Sequence, residues 1–395
     1  MADDLYIEMQ EAQFKKTGQA SCGDSVRYLN IEKENRYIAA LSDGLGSGIK
    51  ANVLSTMTTV MALRFLASDM PTLSSVEIMM DSLPVCEVRK ISYATFSLFD
   101  FTMGGNARIL EMGNPSYIHL RGTEEVPPLM TNKIVSSHWP DRIVREAIVD
   151  FQPGDRIIIC SDGVTQAGLG ERADMRLGWR RSGVMKFAQR KIAESSNISA
   201  SELSFAIARE SVNITKGICR DDVSCLVIYM RHPRVMRVLT GPPFRKENDA
   251  EFASYANLGE AHTVVCGGTT ANILERETGH KVKITLGDMR QSGSLPPKGR
   301  MEDVALVTEG ILTLGRVLSA LEEKRPIDDE PPAARAILEM FRCHDRIEFI
   351  VGTKVNESHQ DPNIPQDLEL RRGVVRRIVA ELETKYRKKT KVQFY

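Results

Sequence analysis

Several features that would narrow the function at once are missing from this chain. Its seven cysteines, at 22, 86, 160, 219, 225, 266 and 343, form no CxxC, which excludes zinc-type pairing and leaves them as small buried hydrophobes of a reducing compartment. No charge of either sign is in excess: 52 Lys and Arg balance 52 Asp and Glu, so no global field points to nucleic acid or an acidic membrane surface. No segment approaches the roughly 18 apolar residues of a membrane span. The start, MADDLYIEMQEAQFKK, lacks the apolar core of a signal peptide, so a cytoplasmic protein with no membrane partner is expected. Neither a Cys-x5-Arg loop nor a Ser-His-Asp arrangement offers a protein nucleophile, and no glycine-rich turn ends in the Lys-Ser/Thr of a P-loop.

What is present divides in two. The length of 395 residues suits two domains. From about 17 to 230, short apolar runs alternate with Gly, Pro, Asn and Asp turns, which predicts strands first, among them YIAALSD, SYATFSLFDF, NARILEMGN, SYIHLRG, DRIIICSD and DVSCLVIYM. Helices are predicted over about 47–68, 181–195 and 200–215, with Met57, Met61, Leu63 and Leu66 of the first as core residues. Two runs of strands with helices attached suggest a two-sheet sandwich flanked by helices. Prolines 233, 242 and 243 break this pattern, so we expect a first domain over 1–232, a linker over 233–249 and a smaller α/β domain over 250–395.

Four short motifs of the first region place aspartates at strand ends or turns: Asp24 in CGDSV, Asp43 in LSDGLGSG, Asp162 in CSDGV, and Asp221 with Asp222 in CRDDVS. Any one alone is ordinary turn chemistry. Together they bring carboxylates to the ends of sheets, where they repel one another unless a divalent cation neutralises them. Hard oxygen donors with few His or Cys nearby point to Mg²⁺ or Mn²⁺.

CGDSV, ALSDGLGSGIKA, EMGNPSYI, PGDRIIICSDGV and RDDVSCLVI together resemble, in order and spacing over about 17–230, the metal-dependent Ser/Thr protein phosphatases of the 2C (PPM) superfamily. The branch resembled is that of the bacterial stage II sporulation protein E (SpoIIE). The fold implied is α+β, a PPM-type antiparallel β-sandwich flanked by helices. The resemblance implies that Asp43 bridges two Mn²⁺ or Mg²⁺ ions and that the Gly44 carbonyl is a further ligand. It makes Asp162 and Asp221 ligands, with Asp222 second to Asp221 and Asp24 near the second ion through water. The reaction implied is hydrolysis of phosphoserine or phosphothreonine on a regulatory phosphoprotein by a two-metal-activated hydroxide. In the branch such substrates include STAS-type anti-anti-sigma proteins; a homodimer is a candidate assembly.

Two departures stand out. Many eukaryotic members carry a His after the bridging Asp-Gly, where this chain has Leu45, as in the sporulation branch. No counterpart of their phosphate-holding N-terminal arginine is evident, and Lys15 and Lys16 read better as a solvated pair. A shift of the helix after Asp43 would move the site, which makes that helix a regulatory candidate.

The second region reads as strand, turn and helix units. VVCGGTTANIL over 264–274 is either a capped tight turn or a phosphate cradle at a helix N-terminus. The basic tail from Arg371 to Lys391 interleaves with Glu381 and Glu383 and reads as a solvated helix face, not a nucleic-acid surface. Two other functions stay open: a non-catalytic binding module on the same sandwich, and a nucleotide-responsive sensor using the CGGTT turn, with the phosphatase as output.

Overall fold

A computed structural model describes residues 5–395, apart from 45, 47, 84–94, 141, 171–174, 286–288, 290–294, 355–365 and 387, with backbone only for 366–369. Leu45 and Cys86 therefore lie outside the described residues. The chain divides into two compact units, Met1–His232 and Pro233–Tyr395.

The first unit begins with β1 (Tyr6–Phe14), β2 (Ser25–Ile31), β3 (Arg36–Ser42), α1 (Ile49–Ala67) and α2 (Thr72–Ser82). It continues with β4 (Phe96–Thr102), β5 (Ala107–Met112), β6 (Ile118–Arg121), β7 (Glu124–Glu125), β8 (Met130–Val135), β9 (Ile143–Val149) and β10 (Asp155–Cys160). It closes with α3 (Asp162–Thr165), α4 (Arg180–Glu194), α5 (Ala200–Ile214) and β11 (Val223–Arg231). The strands form two sheets, ordered β1-β11-β10-β6-β7 and β2-β3-β4-β5-β9-β8, with every pairing antiparallel.

Alternation explains the layering. In β3, Ala39 and Leu41 face the other sheet, where they meet Ile157, Ile159, Leu226 and Ile228, while Ile38 and Ala40 face outward onto α1 and α2. In β10, Ile158 and Cys160 turn outward instead, onto α4 and α5. Both faces of each sheet are thus covered, and strands such as DRIIIC are apolar throughout because neither face meets water. The helix α5 starts on a capping box: Ser199 Oγ accepts from the Glu202 N–H at 3.1 Å, and the Glu202 carboxylate accepts from the Ser199 N–H at 2.9 Å. This is the antiparallel sandwich flanked by helices that the sequence suggests.

The structure differs from the sequence reading in several places. Met57 is not a core residue: with Ile49, Val53 and Val60 it forms an exposed stripe along α1, because Thr58, Thr59, Ala62, Leu63 and Leu66 occupy the buried face. Cys343 is exposed and Cys22 half-buried, whereas Cys160, Cys219, Cys225 and Cys266 are buried. The stretch 233–249 is not a plain linker, because it contains β12 (Val235–Thr240), a central strand of the second unit. Its prolines flank that strand without interrupting it.

The second unit adds α6 (Asp249–Ser254), β13 (His262–Cys266), α7 (Gly268–Thr278), β14 (Gly299–Met301), β15 (Val304–Thr308), α8 (Ile311–Glu323), α9 (Pro332–Cys343), β16 (Arg346–Val351), α10 (Gln366–Thr384) and β17 (Lys389–Phe394). Its sheet runs β14-β15-β13-β12-β16-β17, parallel except for β14. The basic tail helix α10 is not wholly solvated: Val375, Ile378 and Leu382 are buried in the core against α8 and α9. Among the described residues no helix is long and apolar enough to cross a membrane.

Candidate metal centre

Two Ser-Asp-Gly triplets, one at the end of β3 and one at the end of β10, build the site. Ser25 pairs with Ser42 in the β2–β3 register, so Asp24 and Asp43 flank the same end of that sheet. On the other sheet, the Ser161 N–H donates to the Ser224 carbonyl at 2.9 Å, and the Ser224 N–H donates to Ser161 Oγ at 3.0 Å. Those two bonds pin the Asp221–Asp222 turn beside Asp162.

The glycine of each triplet is required by space. A Cβ on Gly44 would lie 2.1 Å from the Ala51 carbonyl oxygen of α1, and one on Gly163 would lie 2.1 Å from the Asp222 carbonyl oxygen. Neither glycine has a positive φ. Backbone contact, not left-handed conformation, therefore fixes both residues.

The helix α1 grips the Asp24 segment as well. Ser55 Oγ donates to the Gly23 carbonyl at 2.6 Å, Asn52 Nδ2 donates to the Cys22 carbonyl at 2.8 Å, and the Ser25 and Thr59 hydroxyls lie 3.0 Å apart. From the other side, the Asp43 N–H donates to Thr95 Oγ1 at 3.1 Å, and Asn114 Nδ2 donates to Ser97 Oγ at 3.2 Å. Asn114 belongs to the EMGNPSYI motif and braces the site without reaching it. Sequence reasoning missed Thr95, Ser55, Asn52 and Ser161, because single hydroxyl or amide residues carry no pattern until the fold gives them partners.

The electrostatics follow from this crowding. Burial, followed by the charges of Asp24, Asp162 and Asp221, pushes the Asp43 carboxyl up to about 9. Burial raises Asp24 to about 7, against the pull of the Ser224 and Ser161 hydroxyls and with a further push from Asp222 and Asp162. Asp162 is raised as well, by burial and then by Asp221. Both carboxylate oxygens of Asp24 and Oδ1 of Asp162 are buried with no hydrogen-bond partner of ordinary geometry. Asp162 Oδ2 accepts from Gln166 Nε2 at 3.0 Å.

Asp221 and Asp222 part ways. Asp222 is buried and its Oδ1 accepts the Lys16 N–H at 2.9 Å, which makes it an anchor of the N-terminal segment. Asp221 is half-exposed, with Lys16 Nζ 3.9 Å from its carboxylate. Lys16 thus stands beside an acid of the cluster, while Lys15 reaches the Ala20 carbonyl at 3.5 Å.

Among the described residues, no group of three or more His, Cys, Asp or Glu is already arranged as a metal-ligand set. The fit to a cation lies in the donors: hard carboxylate oxygens, three of them buried and unsatisfied, on acids that repel one another. Removal of that repulsion is what a divalent cation supplies, and oxygen-only donors suit Mg²⁺ or Mn²⁺ better than a soft metal.

Fold and site together define a four-layer sandwich with an acidic centre suited to hard cations. Residues 33–231 match the family model described as Stage II sporulation protein E (SpoIIE). That is half of the chain, and the chain belongs to this family. Stage II sporulation protein E of Priestia megaterium is 25% identical over 237 residues, covering 57% of this chain and 37% of that protein. This chain therefore spans less than two-fifths of that relative's length. Two solved structures are also similar. The phosphatase domain of the cell fate determinant SpoIIE from Bacillus subtilis shares 18% identity, with 59% of this chain and 95% of that one covered and a TM-score of 0.43. The Mycobacterium tuberculosis serine/threonine phosphatase PstP/Ppp shares 14%, with 57% and 99% covered and a TM-score of 0.37.

Proposed function

We propose that the first unit is a metal-dependent protein Ser/Thr phosphatase acting on phosphoserine or phosphothreonine of a regulatory phosphoprotein. The observation that carries this reading is the set of buried, unsatisfied carboxylate oxygens on Asp24 and Asp162 beside a strongly raised Asp43. Asp43, the Gly44 carbonyl, Asp162 and Asp221 would hold Mn²⁺ or Mg²⁺, with Asp24 close behind them. Such ions, when bound, activate water and neutralise the charge of a transferring phosphoryl group.

The chain's own residues do the positioning. Ser161 and Gly163 hold the Asp221 turn against Asp162, while α1, through Asn52 and Ser55, holds the Asp24 segment. A shift of α1 would reach both Gly44 and Gly23, so metal occupancy is coupled to that helix. The second unit is read as regulatory or substrate-recruiting. A phosphorylated STAS-type protein is the substrate class that the sporulation branch suggests.

The test is a phosphopeptide assay with Mn²⁺, Mg²⁺ or chelator on wild type and Asp162→Asn. Loss of an outer group at metal sites already costs about 10–100-fold, so removal of a ligand should cost at least that. Activity that persists in chelator, or that Asp162→Asn leaves unchanged, would overturn the reading and favour a non-catalytic module.

A further inference from the structure

The second unit carries a cavity that the phosphatase chemistry does not use. In its sheet, β12 lies in the middle, β13 and β15 are added on one side, and β16 and β17 on the other. Sheets wound in both directions from a central strand collect ligands beyond the carboxyl ends of their strands. Beyond the ends of β12, β13 and β15 lies a cavity of about 230 Å³, lined by residues that include Gly241, Gly267, Thr270, Glu309, Gly310 and Arg371.

The cavity receives the start of α7, an 11-residue helix with no side-chain cap and no acidic residue in its first turn. The positive end of such a helix attracts an anion. An independent observation points the same way. Thr270 is fully buried, lines the cavity, and its Oγ1 has no hydrogen-bond partner. A threonine inside a helix commonly returns its hydroxyl to a carbonyl one turn back, as Thr278 of this helix does to Leu274 at 2.7 Å. Thr270 does not.

The glycines keep the space open. A Cβ on Gly310 would lie 3.3 Å from the Gly267 Cα, and one on Gly241 would lie 2.6 Å from Arg371 Nη1, so glycine lets the guanidinium close over the cavity. Glu309 gives the site its polarity. Its carboxylate accepts the Leu312 and Thr313 N–H groups at 3.0 and 3.3 Å, which neutralises the start of α8 and leaves α7 as the anion-attracting end. A ligand seated here meets donors at one end and a carboxylate at the other.

We propose that this cavity binds a compact phosphorylated metabolite, a sugar phosphate or a nucleoside monophosphate. Its phosphoryl oxygens take the α7 N-terminus and the Thr270 hydroxyl with Arg371 as counter-charge, and a ligand hydroxyl donates to Glu309. The volume is below the roughly 300–1,000 Å³ of sites for larger ligands, which is why a compact molecule is specified.

The test measures thermal shift and calorimetric binding on the full chain in chelator, with inorganic phosphate, glucose 6-phosphate and AMP as probes. Saturable binding of glucose 6-phosphate or AMP, tighter than that of inorganic phosphate, is expected, and whichever organic phosphate binds better identifies the source. Gly268 has nothing within 4 Å of a Cβ, so Gly268→Asp should fold and place a carboxylate where the phosphate would sit, abolishing binding. Thr270→Val, nearly the same shape, should weaken binding about tenfold. Absence of binding by all three probes, or unchanged binding in both variants, would overturn the proposal. So would loss of binding in Asp162→Asn, since that would assign the ligand to the acidic centre of the other unit.

Discussion

Gly163 touches Asp222 backbone to backbone: a Cβ on residue 163 would lie 2.1 Å from the Asp222 carbonyl oxygen. Because that neighbour is main chain in a pinned turn, it cannot swing aside. Gly163→Ala should destabilise the first unit by about 1–3 kcal/mol, the usual cost of overpacking. It should also displace Asp221 from Asp162. Thermal unfolding and Mn²⁺ titration read the two effects, and a variant with wild-type stability and metal affinity would contradict the contact.

The acidic centre predicts how stability varies with pH in the metal-free protein. Asp43 and Asp24 are raised from an ordinary 3.8 to about 9 and about 7, by burial first and neighbouring carboxylates second. Above pH 4 the unfolded chain has lost these protons while the folded one keeps them, so stability falls from about pH 4 upward, most steeply below 7, and levels off once pH passes 9. In chelator, Tm should decline over that window, and Asp43→Asn should flatten the decline. Since ligation requires the carboxylates, metal affinity should rise with pH and binding should release protons. A wild-type Tm that climbs from pH 5 to 8 in chelator would contradict both.

The coupling of α1 to the site rests on short bonds that a conservative change can remove. Ser55→Ala deletes the bond to the Gly23 carbonyl, and Asn52→Ala the bond to the Cys22 carbonyl. Each should lower apparent Mn²⁺ affinity about 10–100-fold, the range for outer groups at metal sites, and saturating Mn²⁺ should restore activity. Unchanged affinity in the double variant would separate the helix from the site.

Away from the site, Asp155 is fully buried and ties β10 to β6 and to the turn that precedes β10. It receives His119 at 2.9 Å, Arg121 at 2.8 Å and the Gln152 N–H at 2.9 Å. Burial alone would raise its carboxyl, but the Arg121 and His119 bonds outweigh that and hold it below the usual range. Asp155→Ala should cost about 3 kcal/mol, the lower end for a broken buried pair, because Arg121 is partly open to water. This stability is present above the ordinary carboxylate range and is lost as pH falls through the lowered value. The gap in Tm between wild type and variant should therefore close in acid.

Much of the first unit was legible because burial writes itself into the sequence. Strands covered on both faces, such as DRIIIC, are apolar without interruption, and the helix over 200–215 was legible from Ser201 and Glu202, although the residue that caps α5 is Ser199. The strand β12 was not legible as a strand, because prolines on either side of it signal a break whether they flank a strand or interrupt one. The helix α10 hid its buried face for a related reason: its charged residues dominate the composition, while three or four apolar positions suffice to dock it.

The sequence by itself determined the chemistry of this protein: which residues can ligate a hard cation, where glycine must stand beside them, and which segments are apolar enough to carry them. Only the tertiary structure decided which acids meet. Asp24 and Asp43 come together through the register of two strands, while Asp162 and Asp221, 59 positions apart, come together through Ser161 and Gly163. Tertiary structure also separated Asp222 from Asp221, neighbours of identical chemistry, by giving one a backbone N–H to hold and leaving the other half-exposed. A residue type sets what a side chain can bind, but packing sets which of its partners is within a few ångströms.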